Sequence, residues 1–260
     1  MTNIHEFMKN RESSVTSVVD GKTIIDFFNQ NADDYPDYPA LNTPINDEYS
    51  GWNSTSWSEY REMVHNLASG LIDIGFSAGE NGFIVSDNTK EHFISDLAIM
   101  HAGGTPSTIY KQLKSGQIEY IANLLDAKIA FVGNAELFHE VNEAKKNSTN
   151  LKYLIMIEDF EDYKDLDYVL SFSDLIEKGK DINSTDRSKL DEAISSVSPD
   201  SLACLIFTSG TTGNPKGVMI THENVLWTAQ SLFAETVQLS TNPRIVSYLP
   251  MAHIAARLGD

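Results

Sequence analysis

Between residues 81 and 157 short apolar runs alternate with longer amphipathic stretches. Phe83–Val85, Thr105–Tyr110, Ile129–Val132 and Tyr153–Ile157 are too short for packed helices and read as strands. His92–His101, Ser115–Leu125 and Ala135–Lys146 carry apolar residues at helical spacing between them. Strand, helix, strand with short connections brings successive strands in the same direction. The helices must then cover both faces of the sheet. The pattern therefore predicts an α/β fold with a parallel sheet. Ser86-Asp87-Asn88 follows the first strand, where open α/β sheets bind ligands, but the trio reads as a helix cap.

The flanks are read by local chemistry. Residues 1–20 are polar and expected to be loose. Thr23 is placed to cap a short helix over residues 24–30. Residues 33–39 hold two prolines that disfavour helix, and residues 40–55 hold short strands with Gly51 and Asn53 at a turn. Ser56-Trp57-Ser58-Glu59 is a capping box, and Tyr60, Met63, Val64, Leu67, Ala68, Leu71 and Ile74 make one apolar stripe up to Gly75. Four units follow: residues 1–55, a helix and short strands; 56–157, a first α/β subdomain; 158–200, a connector; and 201–260, the start of a second α/β subdomain.

Charge narrows the function. The chain carries 37 Asp+Glu against 19 Lys+Arg, a net −18. Nucleic-acid binding needs a basic footprint, and so does a polybasic grip on anionic lipid. Residues 158–200 hold 13 acidic and 5 basic residues and read as a solvated connector, with Leu170, Phe172, Leu175 and Ile176 placed for one short helix. Residues 201–260 hold three of each sign, so the neutral end is where an anionic ligand meets least repulsion. The lone cysteine, Cys204, lies in an apolar run, reads as a small buried hydrophobe and admits no internal disulfide. Residues 1–7 lack the pattern of a signal peptide, and no uncharged apolar stretch reaches the roughly 18–20 residues of a membrane span. A cytoplasmic protein is expected. The seven histidines include no pair at helical ligand spacing, so no zinc site is read.

The chemistry sits in one stretch, Thr208-Ser209-Gly210-Thr211-Thr212-Gly213-Asn214-Pro215-Lys216-Gly217, between the strand Leu202–Phe207 and another at Val218–Ile220. Three glycines let the backbone turn its N–H groups toward one point. Four hydroxyls and Lys216 add donors and positive charge suited to a polyphosphate. A Walker A loop needs Gly-Lys-Ser/Thr with a helix next, whereas Lys216 is followed by Gly217 and a strand. No two glycines stand as Gly-x-Gly, so the dinucleotide fingerprint is absent too.

At every position from Thr208 to Gly217 the stretch resembles the phosphate-binding signature of the adenylate-forming superfamily: acyl-CoA synthetases, peptide-synthetase adenylation domains and luciferases. Thr221-His222-Glu223-Asn224 opens a helix over residues 225–235 as in that family; by itself Thr221 is an N-cap and His222 a structural residue. Ser247-Tyr248-Leu249-Pro250-Met251-Ala252-His253-Ile254-Ala255-Ala256-Arg257 resembles the next core motif, in the form found in long-chain fatty acyl-CoA synthetases. Residues 57–75 and 99–107 look like earlier family elements. The resemblance spans roughly residues 22–260.

The resemblance implies a two-step reaction. A fatty carboxylate attacks the α-phosphorus of ATP to give an acyl-adenylate and pyrophosphate, and the CoA thiol then takes the acyl group. Thr208, Ser209, Gly210, Thr211, Thr212, Gly213 and Lys216 would hold the ATP phosphates, and His253 would lie near the carboxylate and forming adenylate, as the one candidate catalytic residue. Mg²⁺ is implied as cofactor, with its ligand expected beyond residue 260, and CoA as co-substrate. A lipid substrate allows contact at a membrane surface without a transmembrane segment. The family's Thr-Glu motif, ribose-binding Asp, hinge and distal lysine are not in the sequence, so an N-terminal portion, inactive or nearly so alone and with its second sheet uncovered, is expected. Two alternatives stand beside this reading: an acyl-, aryl- or amino-acid-adenylating relative, and a non-catalytic nucleotide-binding fragment.

Overall fold

The computed structural model describes residues 4–45, 48, 50–208, 214–234 and 244–259. Its core is a five-stranded parallel sheet. The strands are β3 (Asn81–Val85), β4 (Thr105–Thr108), β5 (Ala127–Val132), β6 (Tyr153–Met156) and β7 (Val169–Ser171), after a separate hairpin of β1 (Pro39–Pro44) and β2 (Trp52–Ser56). The order is β4-β3-β5-β6-β7, with Phe83 opposite Ser107 on one side and Ala130 on the other. β4 is an edge strand, which is where Pro106 costs no ladder hydrogen bond.

Period-two alternation splits the sheet's side chains between two cores. Ile84, Ile129, Phe131 and Ile155 face one cluster with Val64, Leu67, Leu71, Ile94 and Ile99. Phe83, Val85, Ala130, Val132, Leu154 and Met156 face the other with Ile118, Ile121, Phe138 and Val141. The first face is covered by α3 (Trp57–Asp73), α4 (Lys90–His101), α7 (Phe172–Thr185) and α8 (Ser188–Ser195), and the second by α5 (Ser115–Leu125) and α6 (Ala135–Asn147). The alternation in the sequence thus gives the expected α/β fold.

The capping signals hold as well. The Ser56 N–H donates to Glu59 Oε2 at 2.8 Å while Ser56 Oγ accepts the Glu59 N–H at 3.2 Å, starting α3. Gly75, at φ +89°, lets the chain leave α3 through a conformation that L side chains rarely adopt. Thr23 and Asp26 form the same reciprocal pair at the start of α2 (Ile24–Asp34). Its Phe28 packs edge-on against Tyr60.

Three expectations are corrected. The described part of residues 1–20 is not loose: α1 spans Ile4–Val19, buries Val15 and Val19, and Arg11 donates to the Ser231 carbonyl at 3.0 Å. The acidic stretch 158–200 is more than a connector: it adds the edge strand β7 to the sheet, and the short helix expected there runs as α7 to Thr185, closely fitted to α3. Asn183 there bonds the Asn66 side chain and the Ser69 hydroxyl. Ser86-Asp87-Asn88 is not a helix cap; Thr89 holds that position for α4, and the trio reaches other partners described below.

β8 (Leu202–Thr208) and β9 (Lys216–Thr221) form an antiparallel hairpin beside β4. β4 holds β8 by side chains: Thr105 Oγ1 donates to the Leu202 carbonyl at 3.4 Å and Ser107 Oγ to the Leu205 carbonyl at 2.9 Å. After β9 come α9 (His222–Ala229), a π-helical turn over residues 230–234, and α10 (Ile254–Gly259). Val218 and Met219 on β9 are exposed. No described helix is long and apolar enough to cross a membrane.

Candidate functional site

The stretch read as a phosphate loop lies in sequence between β8 and β9. Thr208 and Lys216 stand opposite each other at its base, and the Thr208 hydroxyl donates to the Lys216 carbonyl at 3.4 Å. Both side chains are exposed, as is Asn214. Ser209, Gly210, Thr211, Thr212 and Gly213 lie outside the described residues. A strand, not a helix, follows Lys216, which disposes of the Walker A alternative.

β9 runs into α9 through Thr221. Its hydroxyl accepts the Asn224 N–H at 3.2 Å, and Asn224 bonds back to the Thr221 N–H. His222 is buried, and its Nδ1 accepts the Ile24 N–H at 3.2 Å, joining α9 to α2. Burial holds its pKa down to about 4, so the ring is neutral and the structural reading stands.

His253 is exposed just before α10. Its Nδ1 accepts the Ala255 N–H at 3.1 Å, which in the neutral ring leaves the proton on Nε2. The imidazole is thus a donor at its outer nitrogen, the role needed beside an anionic oxygen. The motif before it is tied to the sheet. Asn88 Nδ2 donates to the Leu249 carbonyl at 2.6 Å and to Ser247 Oγ at 2.9 Å. The tie spans 161 residues of chain, and only the position of Asn88 after a strand hinted at it.

A cleft of about 270 Å³ lies under this motif, lined by Asp87, Asn88, Tyr110, Lys111, Tyr248 and Met251 among others. It opens at the C-terminal ends of β3 and β4. β3 sits between β4 and β5, so the connections leaving β3 and β5 run to opposite sides. That switch point, where ligands in open α/β sheets bind, lies between β3 and β5, on the other side of β3 from the β4 end that lines the cleft. Lys111 and Asp87 form an ion pair at the rim. A larger hollow of about 440 Å³ between α3, α7 and α8 shares no residue with either motif. Its size alone does not make it the site, because its acids and bases include groups already paired, Asp73 with Lys178 and Arg187 with the neighbouring Asp191. Among the described residues no group of three His, Cys, Asp or Glu is placed to hold a metal ion.

Comparisons with known proteins give the family and the fold. The family model for the AMP-binding enzyme matches residues 28–259. A long-chain-fatty-acid–CoA ligase of Xenopus laevis is 34% identical over 92% of this chain and 32% of its own length. The long-chain-fatty-acid–CoA ligase heimdall of Drosophila melanogaster is 28% identical over 100% of this chain and 39% of its own. The chain therefore spans about a third of the length of the curated relatives it matches. Among solved structures, acetoacetyl-CoA synthetase from Streptomyces lividans superposes with a TM-score of 0.76 at 18% identity, covering 92% of this chain and 36% of that one. A long-chain-fatty-acid-CoA ligase from Archaeoglobus fulgidus gives 0.74 at 22% identity, over 91% and 44%. With the α/β fold, the hairpin loop and a family match over nearly its whole length, the chain belongs to the AMP-binding enzyme family.

Proposed function

We propose that the chain is the segment of an ATP-dependent long-chain fatty acid–CoA ligase that grips the ATP polyphosphate and borders the carboxylate. The observation that carries this is the ten-residue loop on the β8–β9 hairpin, with Lys216 at its base and no group within the described structure already neutralising it. In-line attack by a carboxylate on the α-phosphorus needs the β- and γ-phosphates held still and their charge offset. Backbone N–H groups of residues 209–213, the hydroxyls of Thr208, Ser209, Thr211 and Thr212, and the Lys216 ammonium supply that grip. His253 supplies an Nε2–H donor on the carboxylate side. Among the described residues no three His, Cys, Asp or Glu are grouped to hold a metal ion; Mg²⁺ is the metal this reading implies, to offset phosphate charge. CoA and the fatty acid are the co-substrates in this reading, and a lipid substrate favours encounter at a membrane surface.

The relatives' names support an alkyl over an aryl or amino-acid substrate. The experiment is calorimetric titration of the chain with ATP and with two non-hydrolysable acyl-adenylates, one alkyl and one benzoyl. ATP binding with preference for the alkyl compound supports the proposal. Preference for the benzoyl compound moves the chain to the aryl-adenylating alternative, and loss of all nucleotide binding overturns the proposal.

A further inference from the structure

His253 stands immediately before α10, a short helix that is fastened from below. Arg257, one turn further along α10, has a side chain only 6% exposed, and that of Asp96 on α4 is 8% exposed. Arg257 Nη1 donates to Asp96 Oδ2 at 3.0 Å and Nη2 to Oδ1 at 2.5 Å, a two-pronged pairing. Nη2 also donates to Thr108 Oγ1 at 3.1 Å, and Nε to the Met251 carbonyl at 3.2 Å. One guanidinium thus joins α4, the end of β4 and the turn that leads into His253.

The groups behind it admit one consistent set of protons. The Ser86 hydroxyl donates to the Asp87 carbonyl at 3.1 Å, so its oxygen accepts from His92 Nδ1–H at 2.8 Å. His92 Nε2 is then an acceptor and takes the Thr108 hydroxyl at 2.9 Å. Thr108 keeps its lone pairs for Arg257. Burial holds the His92 pKa down to about 4, the neutral state this chain of bonds requires. For Arg257, burial is the largest influence and would lower the pKa, but the charge and hydrogen bond of Asp96 together with Cys204 outweigh it and keep the guanidinium above its usual value.

A buried ion pair is weak evidence for stability, since desolvation offsets much of its attraction. An apolar pair would hold the layers together without fixing a direction. Four bonds from one planar group fix both the place and the rotation of the first turn of α10. The His253 ring is tied to that same turn through Ala255. We propose that Asp96 and Arg257 are positioning residues that set where His253 presents its Nε2–H to the carboxylate side of the site. The role for substrate rests on the function proposed above; the fastening does not.

The test uses the chain with ¹⁵N-labelled histidine, first without nucleotide. Asp96→Asn keeps volume and removes charge, whereas Arg257→Lys keeps charge and loses the fork. The expected result is a His253 pattern of the Nε2–H tautomer in the parent chain that both variants shift toward a tautomer-averaged ring, with the His222 signals unmoved. Lower melting temperatures with an unmoved His253 signal overturn the proposal. If Asp96→Asn also loses the His222 signals, and with them the fold, Arg257→Lys carries the test alone. A second arm measures affinity for the alkyl acyl-adenylate. A loss of about tenfold, the worth of one charge-assisted hydrogen bond, supports the positioning role, and unchanged affinity overturns it. If the parent chain fails to bind the adenylate, the proposed function fails, while the nitrogen signals still decide the fastening.

Discussion

The contact between α3 and α7 offers a sharp test of how the acidic segment folds. Gly179 lies so close to α3 that an added Cβ would stand 1.7 Å from the Asn66 carbonyl oxygen and 2.9 Å from the Gly70 nitrogen. Ordinary contact begins near 3.4 Å, so Gly179→Ala must push the helices apart by roughly 1.7 Å. Overpacking of that kind costs about 1–3 kcal/mol. The shift also pulls Asn183 from Ser69 and Asn66, now at 2.7 and 2.9 Å, at about 1 kcal/mol for each bond weakened. A total near 3–5 kcal/mol follows. Gly116→Ala on α5 is the control: it has open space around it and should gain about 0.5–1 kcal/mol from helix propensity. Urea unfolding reads both. A Gly179→Ala chain within 0.5 kcal/mol of the parent would refute the close packing of α7 on α3.

Three further outcomes are expected. His92, His101 and His222 are buried with folded pKa values held down to about 4 chiefly by burial, against about 6.5 when unfolded. The unfolded chain therefore takes up their protons first, so stability is full above pH 6.5 and falls toward pH 4. At pH 5.5 the loss is about 1 kcal/mol for each and about 3–4 together, and a urea midpoint equal at pH 7.5 and 5.5 would contradict this. Cys204 is buried with its thiol pKa raised by desolvation, so a thiol reagent should label it only in denaturant; fast labelling of the native chain would contradict its burial. Asn88→Ala removes both bonds to the His253 segment, so exchange of the His253 amide, which donates to the Pro250 carbonyl at 2.9 Å, should quicken while β5 stays protected; an unchanged His253 rate would refute the tie.

What the sequence made legible were features written in local chemistry. Ser56–Glu59 and Thr23–Asp26 cap helices because each satisfies its own orphan backbone donors. Phe83–Val85 and Ile129–Val132 announce buried parallel strands because both their faces are covered. The stretch 208–217 stands out because ten specialised positions stand in a row, and the strands β8 and β9 on either side of it lie where the sequence put them. Other features depend on partners remote in the chain. Phe172, Leu175 and Ile176 mark the start of α7, but its run on to Thr185 is not marked by apolar residues, because Gly179 and the Asn183 amide make the contact with α3 there. α1 has few large apolar residues, and its described buried side chains are Val15 and Val19 alone. The order β4-β3-β5 and the Asp96–Arg257 pair, 161 residues apart, leave no local mark at all. Arg257 was part of a motif in the sequence, but nothing near Asp96 identified it as a partner.

The central claim is that residues 208–217 hold a polyphosphate, and nucleotide discrimination tests it most directly. The parent chain and Lys216→Ala are titrated with ATP and with AMP under the same salt. If the loop grips the β- and γ-phosphates, ATP binds the parent more tightly than AMP. Lys216→Ala then lowers the ATP-to-AMP preference by about tenfold or more, the worth of one charge-assisted bond. An equal affinity for ATP and AMP in the parent, or a preference that survives the loss of Lys216 unchanged, would contradict it.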